Sequence, residues 1–326
     1  MLKRFAPAAA TVLALAALAA SAASAATTYP GKNGRIFFAW KGNIWSVQPD
    51  GSGLRRWTRN PEYRYSPTVS PDGRKLAYQT VEGRIRFIRL DGKRRWPRER
   101  GFAPLGRSVH MSEPHFHPSG RIVFKAVAPG EEPAIYSARP DRPRKTVRWI
   151  SSDRFVGALS PDGRSRIWPI QGNPYGADDL GLSPLPGPAE ATRLRYYGLF
   201  LAFFPDGRRF AFDCGTSYKN PETAGICVAT VEDALQPPEP GGQEPILIPN
   251  PTDYIDGAPG YPAPSPDGKR LAYHDPTFGI KVADATDGSP RVLIPSIHPE
   301  HALAWAPRPK PRKAKAGKGK HKGKGR

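Results

Sequence analysis

Histidine and glutamate side chains, which bind metal ions and transfer protons, are concentrated in two short segments of the sequence. They are His110, Glu113, His115 and His117 in VHMSEPHFHP, and His298, Glu300 and His301 in IHPEHALAW. A metal site would need the fold to bring the two segments together, with His115 and His301 as its candidate ligands. The alternative is that these histidines occupy ordinary structural positions. The sequence therefore assigns neither a metal nor a catalytic residue.

Tyrosine and arginine residues recur close to a repeated turn, and such residues suit the binding of a carbohydrate or a peptide. The arginines would favour an acidic ligand. The alternative interpretation is that the tyrosines pack between structural elements and that the arginines are solvated. The predicted binding surface consists of Tyr65, Arg107, His110, Glu113, His115, Arg154, Tyr197, Tyr261, His298 and His301.

The chain has two cysteines, Cys214 and Cys227, at the end of one predicted strand and within the next. A hairpin between them would allow a disulfide in an oxidising compartment. The alternative is two small buried apolar side chains. Because no Cys-x-x-Cys spacing exists, a metal site or a catalytic thiol at these cysteines is not favoured.

Other motifs of catalysis are missing from the sequence. No Gly-x-Ser-x-Gly elbow is present, and no glycine-rich phosphate loop precedes a helix. We therefore predict no cofactor and do not assign an enzymatic activity.

A turn motif that recurs along the chain indicates which elements position these residues. In SPDGRKLAYQT, residues 70–80, a proline presets φ, an aspartate hydrogen-bonds nearby backbone and a glycine adopts a positive φ directly before an apolar run. The prolines of the six copies are Pro71, Pro118, Pro161, Pro205, Pro266 and Pro307, and they are 47, 43, 44, 61 and 41 residues apart. A repeat of about 40–50 residues that is rich in strands predicts a β-propeller.

The two ends of the repeat region predict how the ring closes. The first unit begins with GKNGRIFFAW, residues 31–40, and lacks the strand and proline that precede the other turns. The last segment, HALAWAP at residues 301–307, supplies these parts. We therefore predict an all-β, six-bladed propeller at residues 27–307, closed by pairing of its N- and C-terminal strands. In the second blade, strands are expected at residues 75–78, 85–90 and 93–96.

The repeated Ser-Pro-Asp-Gly followed by Leu-Ala-Tyr resembles the WD40-like propeller repeat of the TolB family. The copies at residues 66–78 and 261–273 carry the resemblance best. Two copies depart from the pattern, since Ser119 replaces the aspartate and Ser165-Arg166 replaces the apolar start of a strand. The resemblance covers nearly all of residues 30–307 and implies an exported six-bladed propeller.

The sequence before the propeller predicts export. Lys3 and Arg4 precede an apolar run of about 13 residues and a series of small residues suited to cleavage near Ala25 or Ala26. We interpret residues 1–26 as a signal peptide, because a membrane anchor needs about 20 apolar residues. No later stretch is long and apolar enough to span a bilayer.

The sequence after the propeller is strongly basic. Residues 308–326 contain ten Lys or Arg and no acid, in a chain of net charge +20. Such a segment cannot bury a core, so we predict a disordered tail. It either only aids solubility or tethers the protein to an anionic wall polymer. Nucleic acid is not expected as a partner after export.

These features predict a function in the cell envelope, in a periplasmic or extracellular location. The favoured hypothesis is a non-catalytic, monomeric propeller that acts as a scaffold for an envelope protein or glycan. The alternatives are a metal-assisted lyase or hydrolase acting on an acidic polysaccharide, and a mainly structural wall protein held by its tail.

Overall fold

The structure is a computed structural model, and only part of the chain is described in it. The described residues are 26–59, 62–91, 98–106, 108–150, 155–170, 179–187, 190–214, 225–236, 245–249, 260–275, 278–295, 297–299 and 302–310. Within these residues no helix is long and apolar enough to cross a membrane. The predicted signal peptide, apart from Ala26, and the tail beyond Lys310 lie outside them.

The described chain forms six sheets, five of four strands and one of five, and each sheet is one blade of a propeller with four antiparallel strands. Blade 1 comprises β2 (Asn33–Trp40), β3 (Asn43–Val47), β4 (Arg55–Arg56) and the last strand, β25 (Ala304–Pro307). Blade 2 comprises β5 (Arg64–Val69), β6 (Lys75–Thr80), β7 (Ile85–Arg89) and β8 (Arg100–Phe102). Blade 3 comprises β9 (His110–Phe116), β10 (Ile122–Val127), β11 (Ala134–Arg139) and β12 (Arg142–Ile150).

The second half of the ring repeats this arrangement. Blade 4 comprises β13 (Ala158–Leu159), β14 (Ser165–Ile170), β15 (Asp179–Pro184) and β16 (Thr192–Tyr197). Blade 5 comprises β17 (Leu199–Phe203), β18 (Arg209–Asp213), β19 (Gly225–Thr230) and β20 (Ile246–Pro249), and β1 (Ala26–Thr27) adds a fifth strand to it. Blade 6 comprises β21 (Gly260–Pro264), β22 (Arg270–Asp275), β23 (Gly279–Asp284) and β24 (Pro290–Ile294), and one short helix, α1 (Val231–Leu235), follows β19.

The repeated turn has the geometry that its residues predict. In blade 2, Oδ1 of Asp72 accepts hydrogen bonds from Oγ of Ser70 at 2.6 Å and from the backbone N–H of Arg74 at 3.1 Å. Gly73 has a φ of 68°, which a residue with a Cβ rarely adopts. The turn joins the innermost strand of a blade to the second strand, so every copy lies on one face of the ring. We call this the turn face and the opposite one the mouth face.

The prediction of a closed ring is confirmed. β25 pairs antiparallel with β2, with Ile36 opposite Trp305 and Phe37 opposite Ala304. Trp305 is 2% exposed and packs in a cluster that also contains Ile280 of blade 6. The last strand thus completes the first blade and removes a free sheet edge at the seam.

The described fourth strand of blade 2 lies beyond the region where the sequence predicted a strand. The expected strand at residues 93–96 lies outside the described residues, and the observed fourth strand is β8, which pairs with β7 through Ile85 opposite Phe102. Phe102 is buried against blade 3, where its ring meets that of Phe124 edge to face at 5.6 Å. Burial of this aromatic side chain stabilises β8 as an outer strand.

The predicted disulfide between Cys214 and Cys227 is present. The register pairs Phe212, not Cys214, directly with Cys227, so the bridge is diagonal across β18 and β19. The two Cα atoms are 5.6 Å apart, which lies within the usual range for a disulfide.

Candidate functional site

The innermost strands carry a β-bulge near the mouth face in four blades. At each bulge one residue has a positive φ of 50–60°, and the strand register shifts there. The bulge residue lies five positions before the motif proline, so the repeat itself positions it. Bulges turn side chains out of the regular alternation and are common next to functional sites. The four residues are Ser66, Glu113, Phe200 and Tyr261.

The carboxylate of Glu113 forms a buried ion pair within blade 3 and a hydrogen bond to blade 4. Glu113 is 3% exposed, and its Oε1 lies 2.5 Å from Nζ of Lys125 on the neighbouring strand. Its Oε2 accepts a hydrogen bond of 2.8 Å from the backbone N–H of Val156, at the start of blade 4. The carboxylate is thus used in holding two blades together, and the structure places this predicted binding residue in the wall of the mouth.

A second contact joins blades 2 and 3 at the same face. Oε1 of Gln79 accepts a hydrogen bond of 3.1 Å from the backbone N–H of Glu113, and Nε2 of Gln79 donates to Oη of Tyr65 at 3.1 Å. Burial raises the pKa of Tyr65. The predicted site residues Tyr65 and Glu113 therefore belong to one network, although they are on different blades.

The two aromatic bulge residues meet between blades 5 and 6. The ring centroids of Phe200 and Tyr261 are 4.4 Å apart, with the ring planes inclined at 51°. Burial raises the pKa of the Tyr261 hydroxyl. This side of the mouth is apolar and aromatic, whereas the side at Glu113 and Lys125 is charged.

The axis of the propeller is occupied by the chain's own N-terminal segment, residues 26–29. β1 pairs in parallel with β17, with Ala26 opposite Ala202 and Thr27 opposite Phe203. Its Cα atoms also lie within 8 Å of the innermost strands β5, β9, β13 and β21. β17 runs from the mouth face toward the turn face. Because β1 is parallel to β17, the N-terminal segment runs in the same direction and enters the channel from the mouth face. The sequence pattern did not predict this element.

Tyr29 anchors the N-terminal segment where it leaves the axis. Its side chain is 3% exposed and packs between blades 2 and 3, and its hydroxyl donates a hydrogen bond to the backbone carbonyl of Phe116. Two residues later the N–H of Gly31 donates to the carbonyl of Pro266 in blade 6 at 2.9 Å. Thr27 and Thr28 are also buried. The segment therefore contacts blades on opposite sides of the ring.

The histidines of the first segment take different positions. His110 is exposed at the start of β9 and lies against Gly83, while His115 is 1% exposed within the strand. Burial lowers the pKa of His115 to about 4, so its ring is neutral at pH 7. Neither ring nitrogen of His115 has a hydrogen-bond partner among the described residues. His115 occupies the structural position of Thr68 in blade 2, as the repeat alignment indicates.

Of the remaining predicted residues, two lie in the described part of the chain and three do not. His298 lies at the mouth face, where its Nδ1 is 3.5 Å from Nε2 of His274. Tyr197 ends β16, the outermost strand of blade 4, where its backbone pairs with Asp179. Arg107, Arg154 and His301 lie outside the described residues. The structure thus brings Tyr65, His110, Glu113, Tyr261 and His298 to one face.

Several residues of this face were not singled out by the sequence. Gln79, Lys125 and His274 occupy equivalent positions at the end of the second strand of their blades, but their side chains share no chemistry. Phe200 shares with the other bulge residues only its positive φ, not its type of side chain. A signal for the bulge was available, since Pro67, Pro114 and Pro262 each directly follow the residue with positive φ.

Exposed apolar side chains also lie on the mouth face. Tyr63 is 59% exposed and Val81 is 50% exposed, and the N–H of Val81 donates to the carbonyl of Tyr63. Phe278, which is 42% exposed, is in the turn between β22 and β23. Side chains of this kind favour contact with another molecule over contact with water.

Comparison with known proteins identifies the fold. The sequence matches no family model, and no curated protein matches it. The structure resembles TolB from Acinetobacter baumannii with a TM-score of 0.60 and 21% identity, covering 84% of this chain and 67% of that one. It also resembles a putative TolB from Agrobacterium tumefaciens with a TM-score of 0.57 and 16% identity, covering 85% of this chain and 99% of that one.

The name of a third similar structure states an enzymatic function. Hydrazine synthase from Kuenenia stuttgartiensis has a TM-score of 0.51 and 16% identity, with coverage of 81% of this chain and 77% of that one. At these identities the similarity concerns the fold alone, which is a TolB-like propeller. Function has to be argued from the site, because one fold supports many functions.

Proposed function

We propose that this protein is an exported, non-catalytic propeller that binds a protein of the cell envelope through the mouth face. The observation that carries the proposal is the arrangement at the axis, where the N-terminal segment fills the channel as an extended strand on the inner edge of β17. Because the chain itself occupies the channel, the surface left for a partner is the mouth face.

The chemistry of the mouth face supports a protein partner. The rim presents exposed Tyr63, Val81 and Phe278, and the aromatic pair of Phe200 and Tyr261 lies beside it. Aromatic and aliphatic side chains on a rigid scaffold are the usual anchors of protein interfaces. A glycan would use the same tyrosines, and the experiment below distinguishes the two ligands.

The disulfide supports the proposed location. Cys214 and Cys227 are joined, and disulfides persist mainly in oxidising compartments outside the cytosol. The predicted signal peptide supplies the export route. Both periplasmic and extracellular locations agree with these observations.

Site-specific photocrosslinking in intact cells would test the proposal. A photoreactive phenylalanine at position 63, on the mouth face, should capture one dominant protein. The matched control is position 54 on the turn face, where Leu54 is also large, apolar and 44% exposed. Capture of the same protein from both positions, or of no protein from position 63, would contradict the proposal. An adduct that is removed by glycosidases would indicate a glycan ligand.

No observation favours the alternative of a metal-assisted lyase or hydrolase at the residues proposed for it. His115 is buried within β9, and Glu113 is engaged by Lys125 and Val156. The second proposed histidine, His301, lies outside the described residues.

The basic tail is proposed to tether the protein to an anionic polymer of the envelope. Its first residues lie on the turn face, where the N–H of Arg308 donates to the carbonyl of Lys32 and Arg74 donates to the carbonyl of Lys310. The tail thus leaves from the face opposite the proposed partner site, so both contacts can form together. Deleting residues 311–326 should release the protein from isolated envelopes at low salt, because the tether is electrostatic. Retention equal to that of the full chain would show that the tail is dispensable.

A further inference from the structure

A cavity of about 400 Å³ opens on the turn face between blades 1 and 2. Its apolar lining includes the buried side chains of Phe37 and Trp57 and the half-buried side chain of Leu90. The end of β25 and the start of the tail, residues 306–309, line another side. This volume lies within the range of about 300–1,000 Å³ that is usual for small-molecule sites.

The repeat explains why the cavity lies at the seam of the ring. In blade 3 the residue before the motif proline is His117, whose Nε2 lies 3.1 Å from the carbonyl oxygen of Gly163 in blade 4. The ring of His117 also packs edge to face on Trp149 at 5.2 Å. In blade 1 the equivalent residue is Ala306, in the same cluster as Trp57. Because a methyl group is much smaller than an imidazole, the seam keeps open space beside Trp57.

Close backbone packing preforms the cavity. A Cβ on Gly34 would lie 2.7 Å from the carbonyl oxygen of Ala306, and a Cβ on Gly73 would overlap the carbonyl oxygen of Pro307. Both glycines line the cavity. Its walls are therefore fixed before a ligand enters, which lowers the entropy cost of binding.

The charged side chains of the cavity are cations. Arg35 and Arg308 line it, and among the described residues no Asp or Glu does. Nε of Arg35 donates to Oγ of Ser46 at 2.7 Å, and its Nη2 donates to the carbonyls of Ser46 and Gly53. Its Nη1 makes no hydrogen bond to the described residues and keeps two N–H donors. Burial and the neighbouring Arg55 lower the pKa of Arg35, so an anion there would relieve an unfavourable charge.

The acids closest to these residues along the chain are engaged elsewhere. Oδ1 of Asp50 accepts a hydrogen bond from the N–H of Ser52 at 2.9 Å, and Asp72 belongs to the turn of blade 2. Oδ1 of Asp91 lies 3.0 Å from Nε of Arg89. Within the described chain, none of the three forms an ion pair with a cation that lines the cavity.

We propose that this cavity binds a small organic anion. The apolar body of the ligand packs on Phe37, Trp57 and Leu90. Its carboxylate or phosphate group lies at Arg35 and Arg308, because guanidinium donors match the oxygens of such groups. The site is on the turn face, so it is independent of the partner surface proposed for the mouth face.

Fluorescence titration of the tag-free, full-length chain with 8-anilinonaphthalene-1-sulfonate would test the site. The sulfonate of this dye stands in for the acidic group of the ligand. The matched probe is N-phenyl-1-naphthylamine, which has the same aromatic body and no charge. We expect saturable binding of one anionic dye per chain, and binding of the neutral dye that is weaker by at least about tenfold.

Variants of the arginines would show where the dye binds. Arg35→Met should weaken binding of the anionic dye by at least about tenfold. The matched control is Arg121→Met, because Arg121 donates to Oγ and to the carbonyl of Ser137 at 2.8 Å in the same way but does not line the cavity. This control should bind the dye as the parent does. Arg308→Ala changes an exposed side chain, so it should keep the parent's thermal unfolding midpoint and still weaken binding.

Filling the cavity is a separate test. Ala306→Phe introduces the residue that blade 5 has at the equivalent position, Phe204, and it should abolish binding of the dye. Ala306→Ser introduces the residue of blades 2, 4 and 6 and should keep it. A chain lacking residues 311–326 should also bind as the parent does.

Three results would overturn the proposal. They are non-saturable binding or equal affinity for the two dyes, unchanged affinity in both Arg35→Met and Ala306→Phe, and loss of binding on removal of residues 311–326. The last result would place the dye on the basic tail.

Discussion

At the scale of single residues, part of the mouth face is built from buried polar groups that pair within blade 3 and with blades 2 and 4. The side chain of Gln79 accepts a hydrogen bond from the backbone N–H of Glu113. The Glu113 carboxylate forms an ion pair with Lys125 and accepts a hydrogen bond from the backbone N–H of Val156. A buried charge is tolerated only when its partners replace the water it has lost. These contacts position the rim residues and do not themselves offer a reactive group.

Breaking the ion pair at Glu113 should therefore be costly. Lys125→Met should lower the free energy of unfolding by about 3–5 kcal/mol, because it leaves the Glu113 carboxylate buried without its cation. Adding Glu113→Gln should recover part of this loss, since the second change removes the unpaired charge. Urea denaturation of the two single variants and the double variant would measure the coupling.

The control for this experiment is an exposed pair. Arg84 and Glu82 are 3.3 Å apart with side chains 48% and 45% exposed. Arg84→Ala should change the free energy of unfolding by less than about 0.5 kcal/mol, because water screens such a pair. Equal losses from Lys125→Met and Arg84→Ala would refute the role given to the buried pair.

At the scale of elements, the repeat explains the positions of the strands but not the strand in the channel. The turn before each second strand is specified locally by proline, aspartate and glycine, so its copies were visible in the sequence. β1 has only two residues, Ala26–Thr27, and no periodicity of its own. It is a strand only because β17 presents a free edge to it.

Tyr29 should contribute measurably to the stability of the ring. Tyr29→Phe keeps the packing but removes the donor to the Phe116 carbonyl, so it should cost about 1–2 kcal/mol. Tyr29→Ala also leaves a cavity between blades 2 and 3 and should cost about 3–5 kcal/mol. Thermal or urea unfolding would give both values.

Tyr63→Phe serves as the comparison for Tyr29→Phe, since Tyr63 is 59% exposed. Removing its hydroxyl should leave the unfolding midpoint unchanged. If Tyr29→Phe also left it unchanged, the hydrogen bond that anchors the N-terminal segment would have no energetic role.

At the scale of the whole molecule, stability depends on closing the ring. β25 supplies the innermost strand of blade 1, and its Trp305 is buried in the cluster shared with blade 6. A propeller without this strand has an unpaired edge at β2 and an exposed apolar seam. Cooperative unfolding of the ring therefore depends on the pairing of its last strand, β25, with β2.

Two truncations separate closure from the tail. A chain ending at Lys310 keeps β25 and should unfold at the parent's midpoint. A chain ending at Ala302 lacks β25 and should lose cooperative unfolding or self-associate through the open edge. Calorimetry and size-exclusion chromatography would show this, and cooperative unfolding of the shorter chain as a monomer would disprove the closure role.

The sequence by itself determined the features that depend on local chemistry or on repetition. The turn motif predicted the hairpins, its spacing predicted six blades, and the incomplete first unit predicted closure by the last strand. The two cysteines on adjacent strands predicted the disulfide. Each of these signals is a short motif, its recurrence along the chain or the residue content of consecutive segments, so it is visible without knowing the fold.

Only the tertiary structure decided which side chains meet. The meeting of Phe200 with Tyr261, of Glu113 with Val156 and of His274 with His298 depends on the register of strands and on packing between distant segments. The position of residues 26–29 in the axis has the same origin, because a two-residue strand is stabilised by the edge it joins and by burial, not by its own propensity. The residue types were visible in the sequence, but their distances are a property of the closed ring.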